Sequence, residues 1–236
     1  MTPWHLNRTV ANAKPLSLVP VWFTFALINL LGLTLARLFF TIWDSRLLFG
    51  DVDLPDISCY GFAIDLITLS VLFIPVAVLE NITLFTHTQC RFKPLLKLYL
   101  LTITLITILG EMVTPFFITH FEHRPTFALI KSAMEFIFQS PLKLHQYKYL
   151  CLMLLSVTLA AYFLSLLFNA LWQSCQNHSL SVTKARMLSS GAFLCLVIQL
   201  WYLPSVHSLE LLFIQNKSLE NVVVNTTLSL AQSWPF

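Results

Sequence analysis

Arg37, Asp65, Glu111 and Arg124 are among the ionisable residues that stand within or just beside long apolar stretches. An ionisable side chain at the bilayer centre costs about 2.5–3.5 kcal/mol on insertion scales, so each of these positions asks for a pairing or binding role. Two acids and two bases at one depth can pair, which offsets much of their desolvation. They can also form a polar pocket for a lipid headgroup. A guanidinium would then take phosphate oxygens through charge-assisted hydrogen bonds, and the carboxylates would take an amine or hydroxyl. A separate accommodation of each charge is the third reading. Arg37 can snorkel to the interface, and Asp65 lies near enough to the start of its apolar run for a helix macrodipole to favour it. Glu80 belongs to the opposite side, with Lys97 as a candidate partner.

No residues are assigned to catalysis or to a metal. His120, Glu122 and His123 lie together, as do His87 and Cys90. A metal site needs several convergent ligands, so an HxxH or a single His–Cys pair is a weak signal. The five cysteines follow no repeated spacing and give no disulfide or zinc framework. P-loop, HExxH and GxSxG patterns are absent, and the whole chain has five glycines. Basic residues are too thinly spread for a nucleic-acid surface.

The elements that must position these charges are membrane helices. Of the 236 residues 57% are hydrophobic and 11% charged, against about 25% charged in ordinary globular domains. Five apolar stretches, Ser17–Phe40, Phe62–Phe85, Pro94–Thr119, Tyr149–Trp172 and Met187–Leu203, approach the roughly 20 residues that cross a bilayer. They lack the alternation of barrel strands, so they read as helices. The first is longer than the roughly 7–15 apolar residues of a signal peptide and reads as an uncleaved span. Pro75 and Pro115 fall inside the second and third.

Orientation follows from the connections. The N-terminal segment has Arg8 and Lys14, the second connection Arg91 and Lys93, and the fourth Lys184 and Arg186, all without an acid. The positive-inside rule puts these in the cytoplasm and the acid-rich first connection outside, despite the basic residues of the longer third connection. Arg37, Asp65, Glu111 and Arg124 then share a level near the external face. From Pro125 to Gln139, Phe127, Ile130, Met134, Ile137 and Phe138 recur at helical spacing. This predicts an amphipathic helix, either in the outer interface or packed on the bundle. The expected fold is an all-α, five-helix transmembrane bundle over residues 1–204, with that helix between spans three and four, and an extracytoplasmic tail over residues 205–236.

Three motifs resemble the N-terminal membrane domain of the lipoteichoic acid synthase-like family. These are bacterial phosphoglycerol or phosphoethanolamine transferases of the alkaline phosphatase/sulfatase superfamily. Gly61-Phe62-Ala63-Ile64-Asp65-Leu66 is similar to the family's G-[LF]-R-F-D-L segment, with Ala63 in place of a polar residue. Glu111-Met112-Val113-Thr114-Pro115-Phe116-Phe117 follows. Then Phe121-Glu122-His123-Arg124-Pro125-Thr126 resembles F-D-x-R-P-N. Asn221–Leu230 looks like the linker to an extracytoplasmic catalytic domain. The resemblance implies a domain that anchors the enzyme in the bacterial inner membrane and presents a phospholipid headgroup, with Asp65, Glu111, Arg124 and Arg37 as headgroup residues. It also implies that the threonine nucleophile and the manganese or zinc ion belong to a downstream or separate catalytic domain, so this chain alone is expected to need no cofactor and to transfer nothing. Two other classes remain open: a non-enzymatic membrane protein that binds lipid or a partner, and a small transporter, which would need polar groups at mid-membrane depth.

Overall fold

The computed structural model describes residues 17–43, 54–86, 89–121, 126, 128–132, 144–177 and 181–201. Five long helices run through them: α1 (Val19–Trp43), α2 (Leu54–Thr86), α3 (Gln89–Phe121), α4 (Leu144–Asn177) and α5 (Val182–Trp201). Among the described residues there is no strand. In hydrocarbon a helix satisfies its own backbone hydrogen bonds, so long apolar runs have little alternative.

Segments Val19–Phe39, Gly61–Thr86, Phe92–Pro115 and Leu154–Asn177 are long and apolar enough to cross a membrane. α5 has 20 residues, about 30 Å at 1.5 Å per residue, but with Lys184, Arg186 and Gln199 it does not reach the apolarity of those four segments. It joins the bundle through α2, the most extensive helix pairing in the molecule. The Ser70 hydroxyl donates to Gln199 Oε1, and Ser190 Oγ donates to Asn81 Oδ1 at 3.3 Å. Polar contacts of this kind hold membrane helices together where burial of oil gives little.

The helices extend past the apolar runs. Asp56 falls inside α2, Arg91 and Lys93 inside α3, and Lys184 and Arg186 inside α5. An apolar run marks where hydrocarbon begins, and a helix can continue into the interface with its backbone bonds intact. α2 and α3 also run through Pro75 and Pro115. Beside Pro75, Tyr99 Oη donates to the Leu72 carbonyl at 2.8 Å. That gives a second partner to a carbonyl in the turn the proline disturbs.

Cross-helix contacts fix the directions. Residues 18 and 37 of α1 and its flank meet residues 80 and 65 of α2, so these helices are antiparallel. Asn29 meets Thr104, and a Cβ built at Gly32 would touch Ile108, so α1 and α3 run the same way. Lys93 meets Trp172 and Lys97 meets Asn169, so α3 and α4 are antiparallel. α1, α3 and α5 therefore begin at one end of the bundle.

α1 has an inner and an outer face. On α1, Trp22, Phe25, Asn29, Leu33 and Arg37 are buried, while Leu27, Leu31, Leu35 and Leu38 are exposed. Both series follow the helical repeat of three to four residues. The inner face thus includes an amide and a guanidinium, and the outer face is purely oily, the reverse of a soluble helix. α1 is an integral wall of the core. An aromatic cluster of Trp22, Phe25, Phe73, Phe168 and Trp172 fills the end where α1 begins. Residues 128–132 form a helical turn capped by Thr126, whose Oγ1 accepts the Leu129 amide at 3.3 Å. The rest of the expected amphipathic helix, and the tail after Trp201, lie outside the described residues.

Candidate headgroup site

Arg37 reaches from α1 to α2, where its two terminal nitrogens donate to the two carboxylate oxygens of Asp65, each at 2.7 Å. This is a bidentate pair, the strongest geometry available to these groups. It is almost wholly enclosed: the side chains are 6% and 0% exposed. Removing one partner of such a pair typically costs about 3–5 kcal/mol, because the other charge is left buried.

Two accommodations entertained for these residues do not hold. Arg37 does not snorkel, because its guanidinium is buried against α2. Asp65 does not sit in the first turn of its helix. α2 begins at Leu54, eleven residues earlier, so the macrodipole of the helix end is too distant to stabilise the carboxylate. Arg37 supplies that stabilisation instead.

Gly61 explains how the arginine fits. It lies one turn before Asp65, on the same face of α2. A Cβ built there would fall on the guanidinium and Cδ of Arg37. The missing side chain is the slot through which Arg37 reaches the carboxylate. No glycine signal in one sequence reveals this, because the contact is with another helix.

Glu111 lies on α3 and is 6% exposed. It lines a cleft of about 450 Å³ between α1 and α3, together with Gly32, Ala36, Phe39, Met112 and Pro115. Among the described lining residues its carboxylate is the one ionisable group. Leu35, Phe39 and Met112 on the rim are 60%, 50% and 62% exposed, so the cleft opens sideways, towards where acyl chains would lie. Ala36 precedes Arg37 in α1, which puts the cleft and the ion pair on two sides of one α1 segment. Arg37, Asp65 and Glu111 are thus brought to one level of the bundle. Thr107 and Thr114, also buried, continue a polar stripe along α3 on either side of Glu111. Arg124, His87 and the Glu122–His123 segment lie outside the described residues, as do the side chains of His120 and Cys90. Among the described residues, no three His, Cys, Asp or Glu side chains converge as a metal-binding set.

At the other end of the bundle, Glu80 is 2% exposed and bonds differently from the expected pairing with Lys97. Its carboxylate accepts the Leu18 amide at 2.7 Å, the Trp22 indole N–H at 2.6 Å and the Ser17 hydroxyl at 3.4 Å. It is an interhelical cap on α1, where unsatisfied amides and the helix dipole both favour an anion. Lys97 turns to α4, donating to Asn169 Oδ1 at 3.4 Å. Nothing in the local sequence around Glu80 announces donors some 60 residues earlier.

No protein-family model matches the chain, and no solved structure does. The fold and the site define a multi-pass, all-α membrane protein with a cleft that opens on the apolar outer face and holds the Glu111 carboxylate, beside a buried ion pair.

Proposed function

We propose that this chain is the membrane domain of a sulfatase-like phosphoglycerol or phosphoethanolamine transferase system. It acts at the outer face of a bacterial inner membrane, with the N-terminus cytoplasmic and the C-terminus outside. Its work is to anchor the system and to hold a phospholipid with its headgroup at the level of Glu111, for chemistry carried out by a downstream or separate catalytic domain. The cleft between α1 and α3 carries this reading. An acyl chain has an apolar slot open to the bilayer, and the carboxylate in that slot suits the ammonium or hydroxyl of an ethanolamine or glycerol headgroup. Arg124 would take the phosphate.

The braced Arg37–Asp65 pair supports this in a second way. It joins α1 to α2 behind the cleft and so fixes one wall. Two of the three motifs behind the family resemblance meet at this level: Gly61 and Asp65 from the first, Glu111 and Pro115 from the second.

The test is made in cells that produce the protein. Glu111→Gln and Arg124→Ala should each lower phosphoglycerol or phosphoethanolamine transfer to envelope acceptors, with the protein still inserted. Leu27→Ala, on the exposed face of α1, should leave transfer unchanged. Wild-type transfer in both site variants rejects the reading, as does a reporter fused after Phe236 that proves cytosolic.

A further inference from the structure

A second chemically equipped region lies at the far end of the bundle, where α1, α3 and α5 begin. Lys93 and Lys97 stand one turn apart on α3, so they share a face. That face meets α4. The Lys93 ammonium lies 5.2 Å from the centroid of the Trp172 ring, and that of Lys97 lies 5.9 Å from the Phe168 ring. These rings stack on each other, 5.8 Å apart and inclined by 25°, and both are buried. Two cations thus rest on one rigid aromatic platform, an arrangement each ring face favours electrostatically.

No described carboxylate pairs with either lysine. Glu80, at the same end, is already held by the Leu18, Trp22 and Ser17 donors. The first turn of α3 contains no acid, and the partial positive charge of the helix end adds to that of the lysines. Each ammonium offers three N–H donors, and Asn169 takes one from Lys97. The surroundings add to this. A lysine stem can stay on apolar surface while its ammonium reaches towards the headgroups at this end of the bundle. Leu98, next to Lys97 on α3, is exposed and offers an oily flank for an acyl chain.

We propose that Lys93 and Lys97, mounted on Phe168 and Trp172, bind the phosphate of an anionic phospholipid in the leaflet at this end of the bundle. Basic notches between membrane helices suit such headgroups. The site is independent of the Glu111 cleft and stands whether or not that cleft holds a lipid.

The purified full chain in detergent is titrated with phosphatidylglycerol and with phosphatidylcholine, and bound lipid is counted by native mass spectrometry. The wild type should prefer phosphatidylglycerol. Each lysine near an anionic headgroup is worth roughly a factor of five, so Lys93→Gln/Lys97→Gln should weaken that lipid about 25-fold. Phosphatidylcholine binding should hardly change. Lys93→Arg/Lys97→Arg keeps the charges and should keep the preference, which separates loss of charge from loss of fold. Equal binding of the two lipids by the wild type overturns the proposal. So does a preference that survives in the glutamine variant, or soluble glycerol phosphate that binds as tightly as the lipid.

Discussion

Replacing Gly61 by alanine puts a methyl group where the Arg37 guanidinium lies. In the middle of a helix the same change ordinarily helps by about 0.8–1.0 kcal/mol, so two effects of opposite sign compete. Overpacking a tight site costs about 1–3 kcal/mol when neighbours can shift. Here the neighbour is one half of a bidentate pair with both bonds at 2.7 Å, so a shift that relieves the clash also breaks the pairing. That loss alone approaches the roughly 3–5 kcal/mol of an orphaned buried charge. The expected net effect of Gly61→Ala is a destabilisation of about 2–4 kcal/mol, between those limits less the helix gain. Placed in an Arg37→Ala/Asp65→Ala background, the same substitution meets no guanidinium, and its sign should reverse to a gain of up to about 1 kcal/mol. Reversible unfolding in mixed micelles, followed by tryptophan fluorescence, measures all four proteins of the cycle. A neutral or stabilising Gly61→Ala in the wild-type background would refute the reasoning.

The other expectations concern the polar contacts that assemble the helices. Glu80→Ala should destabilise the bundle by about 2–6 kcal/mol, about 1–3 for each of the Leu18 amide and Trp22 indole that lose their acceptor inside the protein; Glu80→Gln should cost clearly less. The same unfolding assay decides, and equal losses in the two variants would contradict the capping role. Gln199→Leu should cost only about 0.6–1.7 kcal/mol, the range of one hydrogen bond between membrane helices. A loss of membrane insertion in that variant would mean that Gln199 does more than bond Ser70.

Much of this architecture could be read from hydropathy, because a bilayer imposes one length and one backbone solution. The shared level of Arg37, Asp65 and Glu111 followed from alternating helix direction alone. Less legible was how each charge is held. Asp65 looked like the beginning of a helix because the apolar run begins there, yet α2 starts earlier at Leu54. Gly61 and Glu80 act through contacts with α1, and sequence-local patterns carry no information about a partner on another helix. α5 was harder again. Lys184, Arg186 and Gln199 lower its apparent hydropathy, although Gln199 and Ser190 bond it to α2.

The proposed lipid in the cleft is open to direct capture. A photoreactive phenylalanine analogue at Met112, on the cleft rim, is activated in native membranes, and the adduct is identified by mass spectrometry. The account predicts a phospholipid adduct enriched in ethanolamine or glycerol headgroups, with that enrichment lost when Glu111→Gln is added. An adduct whose headgroups merely mirror the bulk membrane, unchanged by Glu111→Gln, would contradict it.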